Sequence, residues 1–265
     1  MKYGAMNLPL NPVLNEIALF SDMGFDYLEL TMDAPLGHYA VIRKQKKDLL
    51  RALADHNMGL VCHLPTFVYT ADFTESIRQT SLEEMLASVE TAAELEPSRT
   101  VLHPGMISGL GIIAKDTARK YALESLHTVV RKAGEVGLFL CLENMPPVAG
   151  AFTEPEEMAQ LLEIFPSQGM TLDVGHAHIK EEGKNRIKEF FRLAGKRIRH
   201  IHVSDNKGKR DDHLPVGKGS IDFSEIIREL KKIGYAETVT LEIFTEDRRE
   251  LIRSRERFAD LLAGE

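Results

Sequence analysis

Short apolar runs recur along the chain, and an amphipathic stretch follows each of them. The runs Lys2–Met6, Tyr27–Met32, Gly59–Pro65, Thr100–Gly105, Leu138–Met145, Met170–His176, Ile198–Asp205 and Val239–Phe244 predict eight strands. Helical spacing fills the intervals at Pro12–Met23, Lys44–His56, Ser76–Leu95, Ala114–Val136, Pro155–Phe165, Lys184–Ala194, Phe223–Ile233 and Arg248–Leu262. In the fourth of these, Ala122, Leu123, Leu126, Val129 and Val130 form one stripe, and Lys115, Arg119, Lys120 and Arg131 supply polar faces. Gly24, Gly59, Gly137 and Gly234 follow helical runs, where a left-handed residue commonly ends a helix. Thr153-Glu154-Pro155-Glu156 reads as a capped helix start, with Pro155 in the first turn.

Strand and helix alternating eight times predict an α/β protein with parallel strands and crossover helices. Eight units favour closure into one (β/α)8 TIM barrel over residues 1–265 rather than an open doubly wound sheet. No G-x-G-x-x-G follows the first strand, which weakens a dinucleotide-binding version of the open sheet.

On that frame the ionisable residues fall at one end. The third strand runs out in Cys62-His63-Leu64-Pro65, the fourth in Leu102-His103-Pro104-Gly105, the fifth in Leu142-Glu143-Asn144 and the sixth in Leu172-Asp173-Val174-Gly175-His176. The seventh carries His202 and Asp205 towards Asp211, Asp212 and His213, and the eighth ends on Leu241-Glu242-Ile243. A lone histidine at a strand end is usually hydrogen-bonded structure, and His56, His127 and His200 read as structural or surface residues. His38 and His178 fall near predicted mouth loops. Six successive strands placing His, Asp or Glu at the same end is a different matter. Like charges gathered in one cavity repel and resist desolvation, and a divalent cation resolves the conflict. A metal-dependent active site at the C-terminal ends of the strands is therefore expected.

The residues His63, His103-Pro104-Gly105, Glu143-Asn144, Asp173-Val174-Gly175-His176, His202-Val203-Ser204-Asp205, Asp211-Asp212-His213, Gly217-Lys218-Gly219 and Leu241-Glu242 resemble the xylose isomerase-like TIM-barrel superfamily. That superfamily holds sugar isomerases and epimerases and also endonuclease IV. The epimerase resemblance implies a metal on Glu143, Asp173, His202 and Glu242. Mn²⁺ suits that oxygen-rich set, with Mg²⁺, Co²⁺ or Zn²⁺ as alternatives. It implies Glu143 and Glu242 as the catalytic pair, moving a proton through a metal-stabilised enediolate of a ketose or small hydroxy-carbonyl compound. His176 would hold a substrate hydroxyl, with His63 and His103 further round the pocket and Lys207 or Arg210 as a basic group. The endonuclease IV resemblance uses the same residues as a cluster of up to three zinc ions at an abasic-site phosphodiester. His63, His103, His176, Asp211 and His213 then become additional ligands. A non-catalytic metal-dependent binding module is a third possibility.

Composition bears on that choice. The formal charge is −7, so no chain-wide basic field draws a phosphate backbone, and there is no tryptophan. Of the local basic runs, Arg43-Lys44-Gln45-Lys46-Lys47 reads as the solvated face of a helix. The loops at 33–41 and 66–74 contain Pro35, Phe67, Val68 and Tyr69 but no Lys or Arg, and Phe67 and Tyr69 suit a sugar-stacking wall. These features favour a small-molecule sugar enzyme over nucleic acid. Cys62 and Cys141, both in strand-like runs, are expected to be reduced and buried. No apolar run spans a bilayer and no signal-peptide core is present, so a cytoplasmic protein is expected, with a homodimer by resemblance.

Overall fold

The computed structural model describes residues 1–180 and 186–264. Eight parallel strands close on themselves in chain order. They are β1 Lys2–Met6, β2 Tyr27–Thr31, β3 Gly59–His63, β4 Thr100–Leu102, β5 Leu140–Glu143, β6 Gly169–Asp173, β7 Ile198–Val203 and β8 Thr238–Leu241. The helices are α1 Val13–Asp22, α2 Tyr39–Asp55, α3 Glu75–Ala93, α4 Lys115–Glu135, α5 Pro155–Ile164, α6 Val174–His178, α7 Arg186–Ala194, α8 Phe223–Ile233 and α9 Arg249–Gly264. Residues 184 and 185 of the seventh expected helix lie outside the described residues. The barrel shuts where Lys2 pairs with Thr238 and Ala5 with Leu241.

Strands buried on both faces explain the near-continuous apolar runs in the sequence. Outward-facing Leu28, Leu30, Leu142, Ile201 and Val239 pack on helix residues such as Phe20, Leu49, Val129, Phe190 and Ile226, forming one continuous core. Tyr27, Val61 and Val101 make a smaller apolar plug inside the barrel. Cys62 and Cys141 are free thiols buried in this packing. No helix among the described residues is long and apolar enough to cross a membrane.

The strands are shorter than their apolar runs because chemistry at their ends interrupts them. Asp173 Oδ1 accepts from the His176 amide at 2.6 Å and caps α6, so the sixth run turns helical at Val174 instead of continuing to His176. Helix α2 begins earlier than its spacing suggested, at Tyr39, with His38 at its N-cap accepting from the Ala40 amide. At the other end of α2, Asn57 takes the left-handed conformation, φ 51°, and Gly59 instead opens β3. The start of α5 matches expectation, since Glu157 turns back to accept from the amides of Thr153 and Glu154. Arg43 and Lys46 do lie on a helix face, paired with Glu90 of α3 and with Glu94 just after it.

Candidate active site

Register places the site. Glu143 and Asp173 are the last residues of β5 and β6, and Asp173 pairs with His202 near the end of β7, so side chains from all three strands reach the C-terminal mouth. Glu242 follows β8 directly, tied there by its amide to the Val203 carbonyl. His202 Nδ1 lies 3.2 Å from Glu143 Oε1, 3.1 Å from Glu242 Oε2 and 3.8 Å from Asp173 Oδ2. One ligand atom from each of these four residues falls within 4.8 Å of all the others.

Two further groups flank this one. His63 Nε2 and His103 Nε2 approach Glu143 Oε2 at 3.3 and 3.2 Å. On the other side, His176 Nε2 and His213 Nε2 meet Asp211 Oδ2 at 3.1 and 2.9 Å. Three of these imidazoles rest their other nitrogen on a backbone carbonyl: His63 on Leu64, His176 on Asn144 and His213 on Glu242. Asn144 stitches the frame, donating to the Asp173 carbonyl and accepting from the Asp173 amide, both at 2.9 Å.

The electrostatics are those of a site short of positive charge. Burial alone would raise the Glu143 carboxyl, but His202 and His103 hold it well below the carboxylate range. Burial pushes Asp173 up to about 7, with Glu242, Asp211 and Glu143 adding to the rise against His176. For His63 and His213 burial works downwards, yet facing carboxylates lift each to about 9. Buried Asp173 Oδ2 and Asp211 Oδ1 have no hydrogen-bond partner, and Glu242 Oε2 has only the His202 Nδ1 contact at 3.1 Å. Buried acceptors are normally satisfied, so carboxylate oxygens left this short of donors fit a cation better than they fit a protein-only network. Three carboxylates and one imidazole are the donors of a hard divalent ion.

Above the cluster opens a cavity of about 500 Å³. His63, His103, His176, Asp211, His213 and Glu242 form its polar floor, and Leu8, Leu10, Phe67, Met106, Met145, Val148 and Phe244 its apolar collar. No Lys or Arg is among the described residues that line it.

Nine mouth residues read from the sequence thus converge, and several others do not. Asp205 turns away from the mouth, accepting from the amides of Gly217 and Gly219 on one oxygen and of Asn206 and Ile221 on the other. It shapes the loop, which explains Gly219: a Cβ there would sit 2.3 Å from the Asn206 carbonyl oxygen. Arg210 projects to solvent beside Asp212, and neither it nor Lys207 lines the cavity. Phe67 stands on the rim, while Tyr69 is outside the lining. His38 pairs with Glu84, and His178 with Ser220.

Glu29 had escaped the sequence reading. It lies fully buried in β2 and takes His200 Nε2 and His202 Nε2 on its two oxygens, each at 2.9 Å. The available signal was a lone carboxylate inside the apolar run Tyr27-Leu28-Glu29-Leu30, since an acidic residue seldom enters a core unpaired.

Comparison with known proteins agrees with this geometry. The xylose isomerase-like TIM barrel family model matches residues 17–261. The chain belongs to that family. A solved D-tagatose 3-epimerase-like protein superposes with a TM-score of 0.86 at 26% identity, covering 100% of this chain and 99% of that one. Fructoselysine 3-epimerase of Shigella flexneri is 23% identical over 274 residues, 98% of this chain and 95% of its own. A probable endonuclease 4 of Thermosipho melanesiensis is 25% identical over 179 residues, 62% of each chain.

Proposed function

We propose that this protein is a divalent-metal-dependent isomerase or epimerase acting on a ketose or small hydroxy-carbonyl compound. The observation that carries the reading is the convergence of Glu143, Asp173, His202 and Glu242, with bare carboxylate oxygens, beneath a cavity lined by no Lys or Arg among the described residues. Three ligand carboxylates against a divalent ion leave the site near −1, which suits neutral hydroxyls and carbonyls. The epimerase relatives support the same class of substrate.

A cation held by these four residues, Mn²⁺ or Mg²⁺ by donor type, would polarise a carbonyl and offset the charge that develops on its oxygen. The chain's own groups do the rest. Glu242 faces the cavity and takes the proton from the carbon beside the carbonyl. Glu143 is the second carboxylate, and both its oxygens rest against imidazoles, so its part in returning the proton requires His63 and His103 to release Oε2. His176, fixed by the Asn144 carbonyl, presents Nε2 to a substrate hydroxyl. The apolar collar excludes water from the reacting carbon.

The test is solvent-deuterium exchange into a panel of ketoses by the Mn²⁺-supplemented protein. Glu242→Gln should lower exchange by about 10²–10⁴-fold while metal still binds. Undiminished exchange in that variant would sink the assignment.

A second reading has its own observation, the His63/His103 pair on Glu143 and the His176/His213 pair on Asp211. These donors suit two additional zinc ions and a metal-dependent phosphodiesterase of the endonuclease 4 kind. The net charge of −7, and a cavity with no Lys or Arg among the described residues that line it, weigh against a DNA substrate. Elemental analysis decides: about one ion per chain favours the isomerase, and two or three zinc ions make abasic duplex DNA the substrate to try first.

A further inference from the structure

His202 is held differently from its neighbours. His63, His176 and His213 each rest Nδ1 on a neutral carbonyl and turn Nε2 inward. His202 is reversed: Nδ1 faces the carboxylate cluster, and Nε2 donates to Glu29 Oε1 at 2.9 Å. Glu29 comes from β2, across the barrel and one tier below the mouth. It neither lines the cavity nor reaches Glu143, Asp173 or Glu242 in any hydrogen bond.

Glu29 is itself clamped. Its other oxygen accepts from His200 Nε2 at 2.9 Å, and the Thr238 hydroxyl holds His200 Nδ1 at 2.7 Å. Beside His200 the Thr240 and Tyr27 hydroxyls pair at 2.8 Å. A carboxylate gripped from two sides and closed off from solvent cannot swing to another partner. It therefore keeps a proton on Nε2 of His202, so that when a cation displaces the proton Nδ1 directs at Glu143 and Glu242, the Nδ1 lone pair is the one presented to the cluster. A carboxylate also makes an imidazole more basic than a carbonyl does, and this raises its strength as a ligand. The trio Glu29, His200 and His202 is not a cation site of its own, because its facing atoms already satisfy one another.

We propose that Glu29 is a positioning residue that holds His202 as an Nδ1 ligand and thereby sets the affinity of the Glu143/Asp173/His202/Glu242 cluster for a divalent cation. This rests on the metal-site part of the proposed function, not on any particular substrate. Loss of the clasp leaves His202 free to rotate or to adopt the other tautomer, and weakens metal binding without removing a ligand.

The probe is Zn²⁺ added to the full chain after chelator stripping, with affinity read by competition against a chromophoric chelator. Glu29→Gln keeps the shape of the side chain but offers one acceptor where two imidazole N–H groups need one each. Its zinc affinity should fall by about 10–100-fold, the usual loss when the partner of a ligand is removed. A Glu29→Gln protein with wild-type melting temperature in chelator and unchanged zinc affinity overturns the proposal. Nitrogen-15 histidine spectra of the zinc-loaded wild type provide a reading that needs no variant. A proton on His202 Nε2 and zinc on Nδ1 support the clasp, and zinc on Nε2 overturns it even if Glu29→Gln fails to fold. A wild-type chain that takes up no zinc overturns the metal site and the clasp together, whereas tight wild-type binding with an unmoved variant overturns the clasp alone.

Discussion

Two tiers of buried polar side chains are stacked inside this barrel, and they differ in how they are satisfied. In the lower tier Glu29, His200, Thr238, Thr240 and Tyr27 match donor to acceptor throughout. In the upper tier Asp173 and Asp211 each keep a bare buried oxygen, and Glu242 Oε2 has only the shared His202 Nδ1. Burial opposes the charged form in both tiers, so its direction follows the residue type. It keeps His200 below the usual imidazole value, whereas Asp173 is driven up to about 7 by burial with its carboxylate neighbours adding to the rise. A satisfied network stabilises the fold. An unsatisfied one lowers stability and is retained where something else completes it, which on the proposed function is a cation.

The largest test of that contrast is Asp173→Asn. It should weaken metal binding by at least ~100-fold and reduce solvent exchange to background, because one of the four proposed ligands is lost. The same change should stabilise the metal-free protein at pH 8 by about 1–3 kcal/mol, since a carboxyl raised to about 7 is ionised there at the expense of folding. Thermal melts in chelator check this, and a less stable variant would break the comparison.

The pH dependence of the metal-free chain comes next. His63 and His213, both raised to about 9, add stability that is fully present below about pH 6.5 and is lost as pH climbs through 9. Asp173 is also raised, so its contribution fades as pH passes 7, in the same direction. Glu143 and Asp211 are lowered and change only on the acid side. Metal-free stability should therefore fall by a few kcal/mol, on the order of 2–4, from pH 6 to 9. Bound metal replaces the protons and should flatten the profile. Denaturant melts across that range, with and without Mn²⁺, give both curves.

The smallest effect belongs to the lower tier. Tyr27→Phe removes one hydroxyl from the Thr240 pair and should cost about 1 kcal/mol with metal affinity unmoved. A shift in affinity would mean that the two tiers are coupled more widely than through the Glu29–His202 contact.

Much of this arrangement was legible in the order of residues. Eight apolar runs with amphipathic intervals indicated the barrel because each parallel strand must be buried on both faces and each crossover must cover one of them. The nine mouth residues were legible for a related reason: strand ends in a closed barrel share one rim, so a His, Asp or Glu after an apolar run has its height assigned already. Strand ends were read too long wherever a side chain captured the backbone, as Asp173 does in starting α6.

What linear order could not supply was direction. Asp205 and Asp211 stand six residues apart in one loop, yet one clasps four loop amides and the other joins the imidazoles of His176 and His213. Glu29 and His202 lie 173 positions apart and touch only because β2 and β7 face one another inside the closed barrel. Composition and periodicity determined the barrel and the set of groups at its mouth, because both follow from local burial. Which groups keep bare oxygens, and which are spent holding others in place, was decided only by tertiary packing, since a hydrogen bond across the barrel depends on the distance and angle between strands that the sequence lists far apart.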